Sequence, residues 1–183
     1  MEASDEELML SYREGDASAF DRLYARHKGP LYRFMLRSIR DRALAEELYQ
    51  EVWMRAIEAR GRYQAQAKFS TWLYTIAHHR MVDHWRKRGL QTVSLDEEQL
   101  EQAQPRAGAA YEPDRVIEAK QTLARFARAL EALPPAQREA FLLHQEAGMS
   151  VAEIASATGA NEEAAKSRLR YALSKLKEAV GDD

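Results

Sequence analysis

At 183 residues, 45% hydrophobic and 31% charged, the chain is long enough for one medium domain or two small ones and has a soluble, globular composition. A net charge of −2 argues against a uniformly basic nucleic-acid binder, and the lack of cysteine excludes disulfides and thiolate metal sites, which suits a reducing cytoplasm. No apolar run approaches the roughly 20 residues of a membrane span, and "MEASDEELML" carries acids where a signal peptide would carry bases.

Almost every segment reads as helix, with no strand candidate and no repeat, so the expected fold class is all-α. Ser4 and Glu7 have capping-box spacing and start the first helix. Gly15-Asp16 breaks it, and Asp16 caps the next, where Phe20, Leu23, Tyr24, His27 and Leu31 form one apolar stripe. Gly29-Pro30 is a candidate bend or break. Leu44, Leu48, Val52 and Ala56 make a further stripe. "GRYQAQAKF", Gly61 to Phe69, lacks periodicity and reads as a loop, with Ser70 as cap of the helix that follows.

The charge is unevenly spread. Arg60 to Arg88 holds seven basic residues (Arg60, Arg62, Lys68, Arg80, Arg86, Lys87, Arg88) and one acid, Asp83. Gln91 to Arg115 holds six acids against Arg106 and Arg115, and its Gln, Glu, Ala, Pro and Gly content marks an acidic linker between two small domains. Local charge of this kind bears on a polyanionic partner more than the overall balance does.

Beyond the linker, Ile117 to Leu130 is one helix and Pro135 sits in the first turn of another. Ser150 and Glu153 form a second capping box for a short helix ending near Thr158; Gly159 supplies a turn and Asn161 caps a final helix to about Val180. A short helix, a glycine turn and a longer helix is the pattern of a helix-turn-helix. At about 100° per residue, Ala165, Leu169, Ala172, Leu173, Leu176 and Val180 share one side of the last helix. Glu163, Ser167, Arg170, Tyr171 and Ser174 fall opposite, with Lys166 and Arg168 on the shoulders. That layout suits a major-groove reader: Arg170 has the donors for guanine, Glu163 an acceptor for cytosine, and the flanking cations hold phosphates. A plain amphipathic surface helix is the competing reading.

"STWLYTIAHHRMVDHWRKR", Ser70 to Arg88, holds three of the five histidines. A helical zinc pair needs two ligands on one face, usually i and i+4, whereas His78, His79 and His84 stand at spacings of one, five and six. His78 and His84 fall toward the apolar side. His79 joins Thr75 and Arg86 on a polar face continued by Asp83, Lys87 and Arg80. Trp72 borders this face after the loop that carries Tyr63 and Phe69; rings among cations suit stacked single-stranded bases, or else Trp72 and Phe69 are core. No nucleophile elbow and no phosphate-cradling glycine loop occurs. Glu47 and Glu51 lie one turn apart without an accompanying E-x-x-H. No enzyme, metal or cofactor is therefore expected.

In these segments the chain resembles the extracytoplasmic-function (group four) sigma factors of bacterial RNA polymerase. "DASAFDRLYARHKGPLY", "ALAEELYQEVWMRAI" and "FSTWLYTIAHHRMVDHWRKR" look like the family's sigma-2 domain, and "LPPAQREAFLLHQEAGMSVAEIASATGANEEAAKSRLRYALSKLK" like its sigma-4 domain. The resemblance implies a sigma-2 helical bundle over 1–90, a flexible acidic linker over 91–115 threading polymerase channels, and a sigma-4 helix-turn-helix over 116–183. It implies docking of Glu47, Gln50, Glu51 and Trp53 on the clamp helices of the largest polymerase subunit, with the flap of the second subunit as a further partner. Arg62, Tyr63, Lys68, Phe69, Trp72, Thr75, His79, Arg86 and Lys87 would open and capture the minus-ten element of promoter DNA. Glu163, Lys166, Ser167, Arg168, Arg170 and Tyr171 would read the minus-35 element. A cytoplasmic location and an anti-sigma factor are also implied. The chain departs from the family pattern at His79, where Asn is common; at Glu163-Ala164-Ala165, for the usual Gly-Thr-Val; and at Tyr171, in the familiar arginine position, with Arg170 one place earlier. The alternative is a two-domain helix-turn-helix regulator that binds duplex DNA without polymerase.

Overall fold

The computed structural model describes residues 1–88 and 115–181. All regular structure among them is helical. The first domain contains α1 (Asp5–Arg13), α2 (Ala17–Ser38), α3 (Arg42–Glu58), a 3₁₀ turn (Arg60–Arg62) and α4 (Phe69–Lys87). The second contains α5 (Arg115–Ala132), α6 (Pro135–Ala147), α7 (Val151–Thr158) and α8 (Glu162–Val180). The acidic stretch read as a linker lies, but for Arg115, outside the described residues.

Local chemistry sets most boundaries. Both capping boxes close: the Ser4 hydroxyl accepts from Glu7 N–H while Glu7 accepts from Ser4 N–H, and Ser150 and Glu153 do the same for α7. Asp16, Asp41 and Asn161 cap α2, α3 and α8 through their side-chain oxygens. Gly159, at φ 67°, ends α7 in the left-handed region and turns the chain into α8.

Two expectations fail. α2 continues as helix through Gly29-Pro30, so the chain does not break there. Pro30 removes a ladder hydrogen bond, at a cost of about 3 kcal/mol in a helix interior. Complete burial of Leu31, Phe34 and Met35 just beyond it outweighs that cost. Ser70 is not the cap of α4. The helix begins at Phe69, two residues earlier than a Ser70 cap would set it; Lys68 at the cap position offers no side-chain cap, and Glu6 of α1 accepts from Phe69 N–H at 2.7 Å.

In the first domain α2 packs on α1 and α3, and α4 closes against α3. Leu23, Leu31, Phe34, Met35, Leu73, Ala77 and Met81 fill the centre. In the second, α8 lies across α5, α6 and α7 over Leu142, Leu143, Ile154, Ala165, Ala172 and Leu176.

The domains touch along two helix pairs, α2 on α6 and α4 on α7. Carboxylates of the second domain meet basic side chains of the first there. Glu146, with its side chain only 7% exposed, takes ion pairs from Arg33 (3.0 Å) and Arg37. Glu139 meets Nδ1 of His78 at 2.6 Å, and Glu153 meets Lys68 at 2.8 Å. Arg40 donates to the backbone carbonyl of Glu131, which also accepts from Arg138.

Candidate nucleic-acid interface

The 3₁₀ turn and the segment after it deliver three aromatic rings beneath the start of α4. Tyr63 lies 5.2 Å from Trp72 and 6.2 Å from Phe69, and Phe69 lies 5.8 Å from Trp72, between ring centroids. Tyr63 and Phe69 are buried, whereas Trp72 is half-buried against the core. The core reading therefore holds for Phe69, and Tyr63 is core as well. Neither ring is free to stack on a base; both form the floor that holds Trp72. Burial, aided by the charges of Glu6 and Asp5, pushes the Tyr63 hydroxyl up to about 12.

The exposed side chains are Arg62 and Lys68 before α4 and His79, Arg86 and Lys87 along it. Thr75 is half-buried and its hydroxyl donates to the Thr71 carbonyl at 2.6 Å, so that donor is already occupied. The three histidines diverge in role as well as in position. His79 is exposed, His78 is held by Glu139, and Nε2 of His84 is buried without a partner.

Arg80 is not part of the polar face expected for it. It is buried, donating through Nε (2.8 Å) and Nη2 to a single oxygen of Glu51, with Asp83 at 3.4 Å from Nη1. An arginine can be buried in this way because paired carboxylates replace its hydration. The pairing ties α3 to α4 across the edge of the first domain.

On α3, Glu47 and Gln50 are exposed and Glu51 is half-buried. Trp53 is buried, edge-on to Phe20 (5.9 Å) and Tyr24 (5.0 Å), so it supports the helix from inside rather than facing a partner. Met54 was missed by the sequence reading. It is 56% exposed and shares a face with Glu47, Gln50 and Glu51 at steps of seven, four and three. That spacing was readable, but an apolar residue there passes for core until its burial is known.

The last helix matches expectation closely. Asn161 accepts from Ala164 N–H at 2.8 Å; Ala165, Leu169, Ala172 and Leu176 are buried; Glu163, Lys166, Arg170 and Tyr171 are exposed. Ser167 and Arg168 are half-buried on the shoulders. The Arg170 guanidinium lies over the Tyr171 ring at 5.2 Å. Leu173, placed by periodicity on the buried side, is 40% exposed.

Two separated, outward-facing polar helices on two small helical domains match known proteins in the same order along the chain. Residues 23–91 match the sigma-70 region 2 family and residues 123–176 match sigma-70 region 4. The chain is 32% identical to RNA polymerase sigma factor CarQ of Myxococcus xanthus over 95% of this chain and 96% of that protein. The chain belongs to the extracytoplasmic-function family of sigma-70 factors. It is an alternative sigma factor, directing transcription initiation. Its sequence is 30% identical to the extracytoplasmic-function sigma factor SigM of Mycobacterium tuberculosis, over 98% of this chain and 86% of that one. Among solved structures, the sigma factor RpoE of Bartonella quintana in complex with the anti-sigma factor NepR aligns with a TM-score of 0.65 at 25% identity, over 88% of this sigma factor and 96% of that chain. CnrH in complex with the cytosolic domain of CnrY shares the fold, with a TM-score of 0.68 at 23% identity over 96% of both chains. Among the described residues no helix is long and apolar enough to cross a membrane.

Proposed function

We propose that this sigma factor uses three distinct surfaces on core RNA polymerase and promoter DNA. Residues 1–90 act as the sigma-2 domain, 91–115 as the linker and 116–183 as the sigma-4 domain. The exposed face of α3, with Glu47, Gln50 and Met54, docks on the clamp helices of the largest subunit, and the second domain meets the flap of the second subunit. Arg62, Lys68, Trp72, His79, Arg86 and Lys87 engage the opened minus-ten strand, its phosphates on the cations and a base against the half-buried Trp72. Tyr63 and Phe69 position that ring from below, and Thr75, its hydroxyl committed to the Thr71 carbonyl, shapes the face without donating to DNA. Base unstacking costs a few kcal/mol, which a fitting pocket returns only for the right sequence. The outward face of α8, through Glu163, Lys166, Ser167, Arg168, Arg170 and Tyr171, reads duplex DNA in the major groove.

The observation that supports this reading best is the exposure of Lys68, His79, Arg86 and Lys87 on one helix and its approach, beside a second and independent basic-polar helix. A duplex-only regulator has no need of the first of these. The protein acts by binding, in the cytoplasm, with no catalytic step and no cofactor. An anti-sigma factor is a further partner, supported by the likeness to a sigma factor solved with one. Reconstitution with core RNA polymerase on genomic DNA, followed by mapping of transcript starts, should show initiation at a defined promoter set. Random starts, or none, would overturn the reading in favour of duplex binding without polymerase.

A further inference from the structure

α1 holds the segment between α3 and α4 at three points. The Arg60 guanidinium lies over the Tyr12 ring at 5.7 Å. Nη1 of Arg13 donates to the Tyr63 carbonyl at 3.1 Å, and Glu6 accepts from Phe69 N–H at 2.7 Å. These last two peptide groups are the ones that bound residues 64–68, all of them exposed. Arg62 stands beside the first and Lys68 beside the second. Glu6 and Arg13 are seven residues apart, two turns along one face, so a single rigid element spans the loop. α1 is itself pinned to α2. Arg26 donates to Asp5 (2.8 Å) and to the Ala3 carbonyl (2.9 Å), His27 meets Asp5 at 2.6 Å, and Leu8 and Met9 are buried.

We propose that α1 is a splint for the strand-capturing loop, with Arg13 and Glu6 as positioning residues that fix its two ends. The inference rests on the proposed role of Arg62, Lys68 and Trp72 at the opened strand. Burial of the Tyr63 and Phe69 rings fixes where the loop leaves and rejoins the core, but a buried ring leaves the peptide plane beside it free to turn. The bonds to Arg13 and Glu6 fix those planes. They thereby set the direction in which residues 64–68 leave the core and the spacing of Arg62 and Lys68. Within the run, the exposed amides of Gln64 and Gln66 each carry donors and an acceptor for the edge of an unpaired base. A loop held in its bound shape before the strand arrives gives up little conformational freedom on binding, and favours the strand that fits it. A loosened loop keeps its cations, and with them a general attraction for phosphates, but loses selectivity.

The test uses the full chain. Arg13→Met removes the donor and keeps an unbranched stem; Arg13→Lys restores a donor. The chain has no cysteine, so a nitroxide on Ala67→Cys, in the exposed run, reports the loop without background. Its motion should quicken in Arg13→Met and return toward the wild type in Arg13→Lys. Two fluorescent single-stranded oligonucleotides serve as probes, one with the minus-ten element found by mapping transcript starts and one with that element scrambled. Arg13→Met should lose roughly ten-fold in affinity for the first and less than about two-fold for the second, with core polymerase binding unchanged. Arg60→Met, at an exposed site, should move label and binding the same way and stands in if Arg13→Met misfolds. Glu14→Gln, which removes only an exposed ion-pair partner of Arg13, should match the wild type. Label motion unchanged by both Arg13→Met and Arg60→Met overturns the splint. Faster motion with equal losses on the two probes, or with none, overturns its role in capture. A wild type that does not prefer the matched probe overturns the strand-capturing reading instead, while the label still reports on the splint.

Discussion

The carboxylate of Glu6 accepts a hydrogen bond from the backbone N–H of Phe69, 63 residues away and 2.7 Å distant. It serves as the cap that α4 lacks in its own sequence, and it sets the helix that carries Trp72 and His79 against α1. Glu6→Ala should destabilise the protein by about 1–2 kcal/mol in urea unfolding, the usual cost of a lost cap. Glu6→Gln should recover part of that. Equal losses from both variants would mean the charge, rather than the acceptor, is what α4 needs.

Next to Glu6, burial raises the Asp5 carboxyl, but hydrogen bonds from Arg26 (2.8 Å) and contact with His27 (2.6 Å) outweigh it and hold it below its ordinary 3.8. A carboxylate depressed in the folded state stabilises fully above its unfolded value and loses that contribution as pH falls through the folded one. Asp5→Asn should therefore be less stable than wild type near neutrality, and the difference should shrink below about pH 4. A gap that stays constant down to acid unfolding would count against the pairing.

Glu47 and Trp53 lie on the same helix and should fail differently. Glu47→Lys, at an exposed site, should leave unfolding within about 0.5 kcal/mol of wild type while weakening polymerase binding. Trp53→Ala, which empties a buried site between Phe20 and Tyr24, should cost about 3–5 kcal/mol. Calorimetry beside a polymerase pull-down separates the two. Normal polymerase affinity in Glu47→Lys would remove that face as the docking surface.

His79→Ala should lower promoter melting several-fold while leaving duplex binding nearly intact. Permanganate reactivity of the opened bases reports the first and a mobility shift on closed duplex the second. Proportionate losses in both assays would show that His79 does not act on the opened strand.

Arg170→Ala should relax sequence preference at one upstream position by about 1–3 kcal/mol. Tyr171→Ala removes the ring beneath Arg170 and should weaken the same preference less. Selection from a randomised upstream element checks both, and an unchanged logo for Arg170→Ala would exclude it as a reader.

The all-helical fold and most helix boundaries were legible because caps are local: Ser4 with Glu7, Ser150 with Glu153, and Asn161 with Ala164 lie three residues apart. The face of α8 was legible for the same reason, since one helix period sorts Leu169 from Arg170. Several of the misreadings turn on partners distant in sequence. Ser70 looked like a cap because Glu6 could not be seen beside Phe69. Arg80 counted as a surface cation because Glu51, 29 residues earlier, was not known to face it. Trp53 looked available because the rings of Phe20 and Tyr24 come from another helix. Pro30 looked like a break because the burial beyond it is tertiary.

The contacts of Glu139, Glu146 and Glu153 join parts of a single polypeptide. The fraction of chains that make them is accordingly independent of how much of the protein a cell holds. Raising expression multiplies these contacts without changing that fraction, whereas a rise in ionic strength weakens them in every chain alike.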